Sequence, residues 1–143
     1  MEPLKSKDIC VVGLGQIGLP TAIVFANSGF NVLGVDLDER IVNQPNEGKT
    51  HIKEPGLQTV VTKVVKSGRF RASLKPEEAD IYLIAVPTQI KADNTPDISA
   101  VEAAIRLITP YIKSENLIVV ESTVPPGTVG GLVKNMLEKS GLK

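Results

Sequence analysis

The chain has 143 residues, 42% hydrophobic and 22% charged, with 16 basic side chains against 16 acidic ones. This length points to one domain with one proper core, which buries roughly 68–70% of the surface exposed by the unfolded chain. The zero formal net charge gives no basic field for nucleic acid, and no apolar run approaches the roughly 20 residues that cross a bilayer, so neither nucleic acid nor membrane is an expected partner. The polar N-terminus, Met1-Glu2-Pro3-Leu4-Lys5-Ser6-Lys7-Asp8, has no secretory pattern, and a cytoplasmic location is the expectation. Cys10, the single cysteine, lies within Ile9-Cys10-Val11-Val12 and reads as a small buried hydrophobe; no internal disulfide can form.

The apolar pattern predicts strands alternating with helices. A strand at residues 9–12 leads into a helix at 17–28, stopped by Gly29. A second strand, 32–35, precedes a short helix at 39–44. The next helix, 56–66, carries Leu57, Val60, Val61, Val64 and Val65 at helical spacing, with Pro55 in its first turn. Short strand 70–72 and strand 81–86 follow. A long polar loop, 87–96, leads to helix 98–108, for which Asp97 is the expected N-cap. Strand 117–120 and a helix at 129–138 close the chain. Nearly continuous aliphatic strands alternating with helices predict βαβ units and a parallel sheet buried on both faces. The expected fold is a Rossmann-type doubly wound α/β sheet in three layers, α/β/α.

The chemistry concentrates where the strands end. Gly13-Leu14-Gly15-Gln16-Ile17-Gly18 follows a predicted strand and opens a predicted helix, the context that makes a G-x-G-x-x-G turn specific. Gly13 permits the tight turn, Gly15 lets backbone approach a pyrophosphate, and Gly18 allows close packing of helix and strand. The helix N-terminus supplies free N–H groups to the anion. Asp36 ends the second strand eighteen residues after Gly18, where a carboxylate accepts hydrogen bonds from the ribose of NAD and repels the extra phosphate of NADP. Arg40 is a candidate for accommodating such a phosphate, against a solvated helix position. Methyltransferases that use S-adenosylmethionine share a glycine turn and a ribose acid, but the full three-glycine spacing favours a dinucleotide. Pro87 and Thr88, after the fourth strand, and Thr123, within Glu121-Ser122-Thr123, reach the same crevice; capped strand-end turns are the alternative reading. His51 reads as a solvated loop residue. No cluster of His, Cys and carboxylates stands at metal-ligand spacing.

With these motifs in order, the sequence resembles the UDP-glucose/GDP-mannose dehydrogenase family along essentially its whole length. The resemblance is carried by residues 12–20, Gly34-Val35-Asp36, Glu54-Pro55-Gly56-Leu57, Val86-Pro87-Thr88 and residues 121–127. His51-Ile52-Lys53-Glu54-Pro55, Arg71-Ala72-Ser73 and Pro96-Asp97-Ile98 resemble its UDP-N-acetylmannosamine dehydrogenase branch. The resemblance implies an oxidoreductase that takes the primary alcohol of a nucleotide sugar to a carboxylate, reducing two NAD through a thiohemiacetal on a cysteine. It implies Gln16 and Ile17 against the pyrophosphate, Asp36 on the adenosine ribose, and Thr88 and Thr123 toward the nicotinamide. Glu121 and Thr123 are candidates for ordering a water near the reacting centre. Gln16 departs from a frequent aromatic, and Gln89 from a common proline. The family's nucleophilic cysteine and its assisting lysine and asparagine have no counterpart here, since Cys10 lies inside a strand. Residues 1–143 are therefore expected to be an NAD(P)-binding domain, truncated before the family's substrate domains, that binds NAD without turnover and belongs to a homo-oligomer. UDP-glucose or UDP-N-acetylglucosamine remains an alternative substrate, and a non-catalytic dinucleotide-binding or assembly module an alternative function.

Overall fold

The computed structural model describes residues 7–142; Lys143 and residues 1–6, which form most of the N-terminal stretch that lacks a secretory pattern, lie outside them. The elements are β1 Asp8–Val12, α1 Gly18–Asn27, β2 Asn31–Val35, α2 Glu39–Asn46, α3 Leu57–Lys66, β3 Phe70–Ser73, β4 Ile81–Ile84, β5 Gln89–Ile90, β6 Pro96–Asp97, α4 Ser99–Ile108, β7 Leu117–Val120, a π-helical turn Val129–Val133, and α5 Lys134–Glu138. The main sheet runs β3-β2-β1-β4-β7 with every neighbouring pair parallel. The chain starts at the centre, winds out to β3, and returns to the other side of β1 to lay down β4. That reversal between β1 and β4 opens a crevice at the carboxyl ends of the strands.

Alternation along β1 explains the three layers. Ile9 and Val11 point into a core with Leu19, Ile23, Val61, Val64 and Phe70, which brings α1 and α3 onto one face. Cys10 and Val12 point the other way, into a core with Tyr82, Ile84, Val101, Ile105 and Ile108, which brings α4 onto the opposite face. A strand buried on both sides has no polar positions to spare, hence its unbroken apolar run. Full burial of a side chain such as Ile23 or Ile105 contributes about 1.5–3 kcal/mol. The doubly wound α/β fold follows from this two-sided demand.

Several element boundaries differ from expectation for local reasons. α1 closes where Gly29 takes a φ of +101°, as its glycine predicted. α2 runs through Pro45 to Asn46, with Asp38 as its N-cap accepting the Arg40 N–H at 2.9 Å. Pro55 falls before α3 rather than in its first turn, because Gly56 forms the N-cap with φ +80°. The expected strand 81–86 stops at Ile84, and Ala85 donates its N–H to the Val12 carbonyl at 2.8 Å before the chain turns away. The polar loop contains a two-stranded hairpin, β5 with β6, turned by Asp93 and Asn94, the latter at φ +63°. Asp97 accepts the Ser99 N–H at 3.0 Å, although Ile98 occupies the N-cap position of α4. The last helix opens as a π turn through Gly130 and Gly131, residues of low helix propensity, and Val133 donates to the Thr128 carbonyl at 3.0 Å.

Candidate functional site

The crevice is built around the turn between β1 and α1. Gly13 has φ +98°, and a Cβ there would stand 2.5 Å from the Ala85 carbonyl oxygen. Its N–H donates to the Val35 carbonyl at 2.8 Å, stitching the turn to β2. A Cβ on Gly18 would lie 1.7 Å from the Gly13 carbonyl oxygen. Both glycines thus serve packing, by excluding a side chain where two backbones meet. Gly15 differs: a Cβ there would meet nothing within 4 Å. Its missing side chain leaves room outward, not inward. Among the described residues, the backbone N–H groups of Gly15, Gln16 and Ile17 have no acceptor, and they gather at the N-terminus of α1. Free donors, a helix dipole and an open approach suit a pyrophosphate.

Asp36 is locked by backbone. Its Oδ2 accepts the Leu14 N–H at 3.0 Å, and its Oδ1 accepts the Asp38 N–H at 3.0 Å. Leu14, fully buried, packs over Gly34 of β2, where a Cβ would come within 2.7 Å of its Cδ2. The glycine turn and the acid are therefore one rigid unit.

Two clefts flank Gly15. One, of about 460 Å³, is lined by Asp36, Leu37, Ile41, Pro87, Ala103 and Leu107 among others, and is apolar apart from Asp36. An apolar slot with one carboxylate suits a flat ring that carries hydroxyls. The other, of about 430 Å³, is lined by Gln16, Ile17, Thr88, Glu121, Ser122 and Thr123 among others, and is the more polar. Gly15, Val86 and Pro87 line both, so a dinucleotide laid across Gly15 would reach into each. Ser122 Oγ donates to the Val86 carbonyl at 2.8 Å, joining the ends of β4 and β7 beneath the second cleft. Glu121 Oε1 accepts from Thr21 Oγ1 of α1 at 2.8 Å.

The structure thus brings Gly13, Gly15, Gln16, Ile17, Asp36, Pro87, Thr88 and Thr123 to the crevice walls, with Gly18 behind them. Arg40 is apart: it lines neither cleft, and its exposed guanidinium lies 2.8 Å from Asp38 Oδ2. That pairing raises the Arg40 pKa and lowers that of Asp38. His51 is not the solvated residue expected. Both its ring nitrogens are buried and lack a hydrogen-bond partner among the described residues. Cys10 is fully buried, and burial pushes its thiol up to about 12, far from a nucleophile's range. The apolar wall from α4 and the Thr21 hydroxyl escape sequence reasoning, because neither carries a local motif. No group of three or more His, Cys, Asp or Glu that could hold a metal ion occurs among the described residues.

Comparison with known proteins settles the class. Residues 7–143 match the model of the UDP-glucose/GDP-mannose dehydrogenase family, NAD binding domain. The chain belongs to this family. It is 46% identical over 132 residues to a UDP-N-acetyl-D-mannosamine dehydrogenase of Campylobacter jejuni, covering 92% of this chain and 32% of that protein. A UDP-N-acetyl-D-mannosamine dehydrogenase of Methanococcus aeolicus is 44% identical over 147 residues, covering 99% and 34%. The solved UDP-N-acetyl-mannosamine dehydrogenase of Staphylococcus aureus superposes with a TM-score of 0.92 at 43% identity, covering 95% of this chain and 34% of that one. The chain spans about a third of the length of the curated relatives it matches. It corresponds to the NAD-binding domain of that family.

Proposed function

We propose that this domain serves an enzyme that oxidises the primary alcohol of UDP-N-acetylmannosamine to the uronate with reduction of two NAD. The observation that carries the substrate is the 44–46% identity to proteins named for that sugar. A UDP-glucose dehydrogenase of Pyrobaculum islandicum, also alike in fold at a TM-score of 0.90, is 36% identical. Alcohol to carboxylate removes four electrons, as two hydrides, and adds the oxygen of one water. NAD, when bound, accepts the hydride. The chain's own residues hold and orient it: the N–H groups of Gln16 and Ile17 meet the pyrophosphate, Asp36 accepts from the adenosine ribose, and Thr88 and Thr123 lie along the nicotinamide half. Arg40 takes no part in NAD binding and would matter only for a phosphate on the ribose.

In this reading residues 1–143 form one cofactor domain, and the substrate-binding and nucleophilic groups belong to further parts of the protein. A cytoplasmic, homo-oligomeric enzyme completes the proposal. No helix among the described residues is long and apolar enough to cross a membrane, and β7 ends the sheet, where unpaired backbone groups await a partner strand.

The test is a calorimetric titration of the 143-residue chain with NAD, NADP and Asp36→Ala as control. NAD should bind at roughly micromolar to millimolar strength, about 8 to 4 kcal/mol, with NADP weaker. Asp36→Ala should weaken NAD roughly tenfold or more, through the lost ribose contact and two freed backbone N–H groups. The same chain, given UDP-N-acetylmannosamine and NAD, should form no NADH; measurable turnover would refute the division of labour proposed here.

A further inference from the structure

Each cleft is lined by a single formally charged side chain, Asp36 in one and Glu121 in the other. Neither is lined by a Lys or Arg. Glu121 follows β7 and lines the second cleft, and its Oε1 accepts from Thr21 Oγ1 of α1 at 2.8 Å. No ion pair to Glu121 exists among the described residues. The carboxylate therefore has no cationic partner among the described residues, and it lines the cleft left for the nicotinamide once Asp36 has claimed the adenosine. A nicotinamide ring is cationic when oxidised and neutral when reduced. A fixed carboxylate beside it attracts one form and not the other.

We propose that Glu121, oriented by Thr21, sets the preference of this site for oxidised over reduced dinucleotide. The inference rests on the NAD-binding reading above and adds a residue that positions charge rather than one that reacts. A ligand shifts an equilibrium only by its differential affinity for the two states, and here the differing quantity is the charge on the ring. In a reaction that consumes two NAD in succession, such a bias favours exchange of the reduced cofactor for a fresh oxidised one.

The experiment measures dissociation constants of NAD and NADH, at low and high salt, for the parent chain, Glu121→Gln and Thr21→Val. Glu121→Gln keeps the side-chain size and an acceptor for Thr21 but removes the charge. It should reduce the preference for NAD over NADH by roughly three- to tenfold, the value of one unit charge a few ångströms away in a water-rich cleft. Most of that change should come from weaker NAD binding. Thr21→Val should move the ratio the same way by less. High salt should shrink the parent's preference and leave that of Glu121→Gln unchanged. A merely structural role would weaken both forms alike. An unchanged ratio in Glu121→Gln, with NAD still bound saturably, overturns this inference alone. No saturable binding of either form by a parent chain that melts cooperatively overturns the dinucleotide reading and this inference together.

Discussion

The proposed adenosine cleft and the proposed nicotinamide cleft share Gly15 but are held together differently. In the first, both oxygens of Asp36 are fixed by backbone N–H groups, and the walls are aliphatic residues of α2 and α4. In the second, the acid is held by one side-chain hydroxyl, and the walls are strand-end loops tied by Ser122 to the Val86 carbonyl. Backbone-fixed groups move only if the fold moves, whereas side-chain contacts adjust at the expense of one or two rotamers. The first cleft is thus preorganised, as suits the constant adenosine part of the proposed ligand. The second keeps more freedom, as suits the proposed nicotinamide ring, which changes charge.

The most damaging way to break this contrast is Gly18→Ala, which strikes the turn that both clefts share. Its Cβ would overlap the Gly13 carbonyl oxygen, so a loss of about 4 kcal/mol or more of unfolding free energy is expected in denaturant melts. Gly15→Ala separates packing from ligand approach. With nothing within 4 Å of the new methyl, the melt should barely change, while NAD binding weakens roughly tenfold, about 1.4 kcal/mol, by titration. An equal loss of stability would show that Gly15, like Gly18, is there for the fold. Ser122→Ala loosens the second cleft only. Losing its bond to the Val86 carbonyl should lower stability by about 1 kcal/mol and leave the NADP discrimination proposed for Asp36 untouched. Arg40→Ala should do least: its exposed pair with Asp38 lies outside both clefts, so neither the melting temperature nor the NAD affinity should move measurably. A clear drop in NADP affinity in that variant would return Arg40 to the site.

Much of the site was legible because its signals are local. The glycine spacing, the acid ending β2 and the threonines after β4 and β7 are all strand-end features, and a parallel sheet gathers strand ends at one edge. Elements were legible where one hydrophobic period ran long enough, as in α1, α3 and α4. They blurred where backbone geometry overrode the pattern. Gly130-Gly131 allowed a π turn that no periodicity marks. The hairpin in the polar loop is two residues wide on each side, too short for an alternation to register. His51 looked solvated because its sequence neighbours are polar, yet burial depends on what the fold lays over it.

The sequence by itself determined the doubly wound fold and the family, and it marked the glycine turn and Asp36 as strand-end features, since each follows from residue type and spacing along one strand or helix. Tertiary structure supplied the contacts behind the expected glycine roles, because the Ala85 carbonyl, just beyond β4, comes within 2.5 Å of where a Cβ on Gly13 would stand. It also removed Arg40 from the cleft walls. Finally, it joined Thr21 to Glu121, one hundred residues apart, beside the second cleft. Contacts at that separation are created only when β7 closes against β4, and no local pattern in the chain can record them.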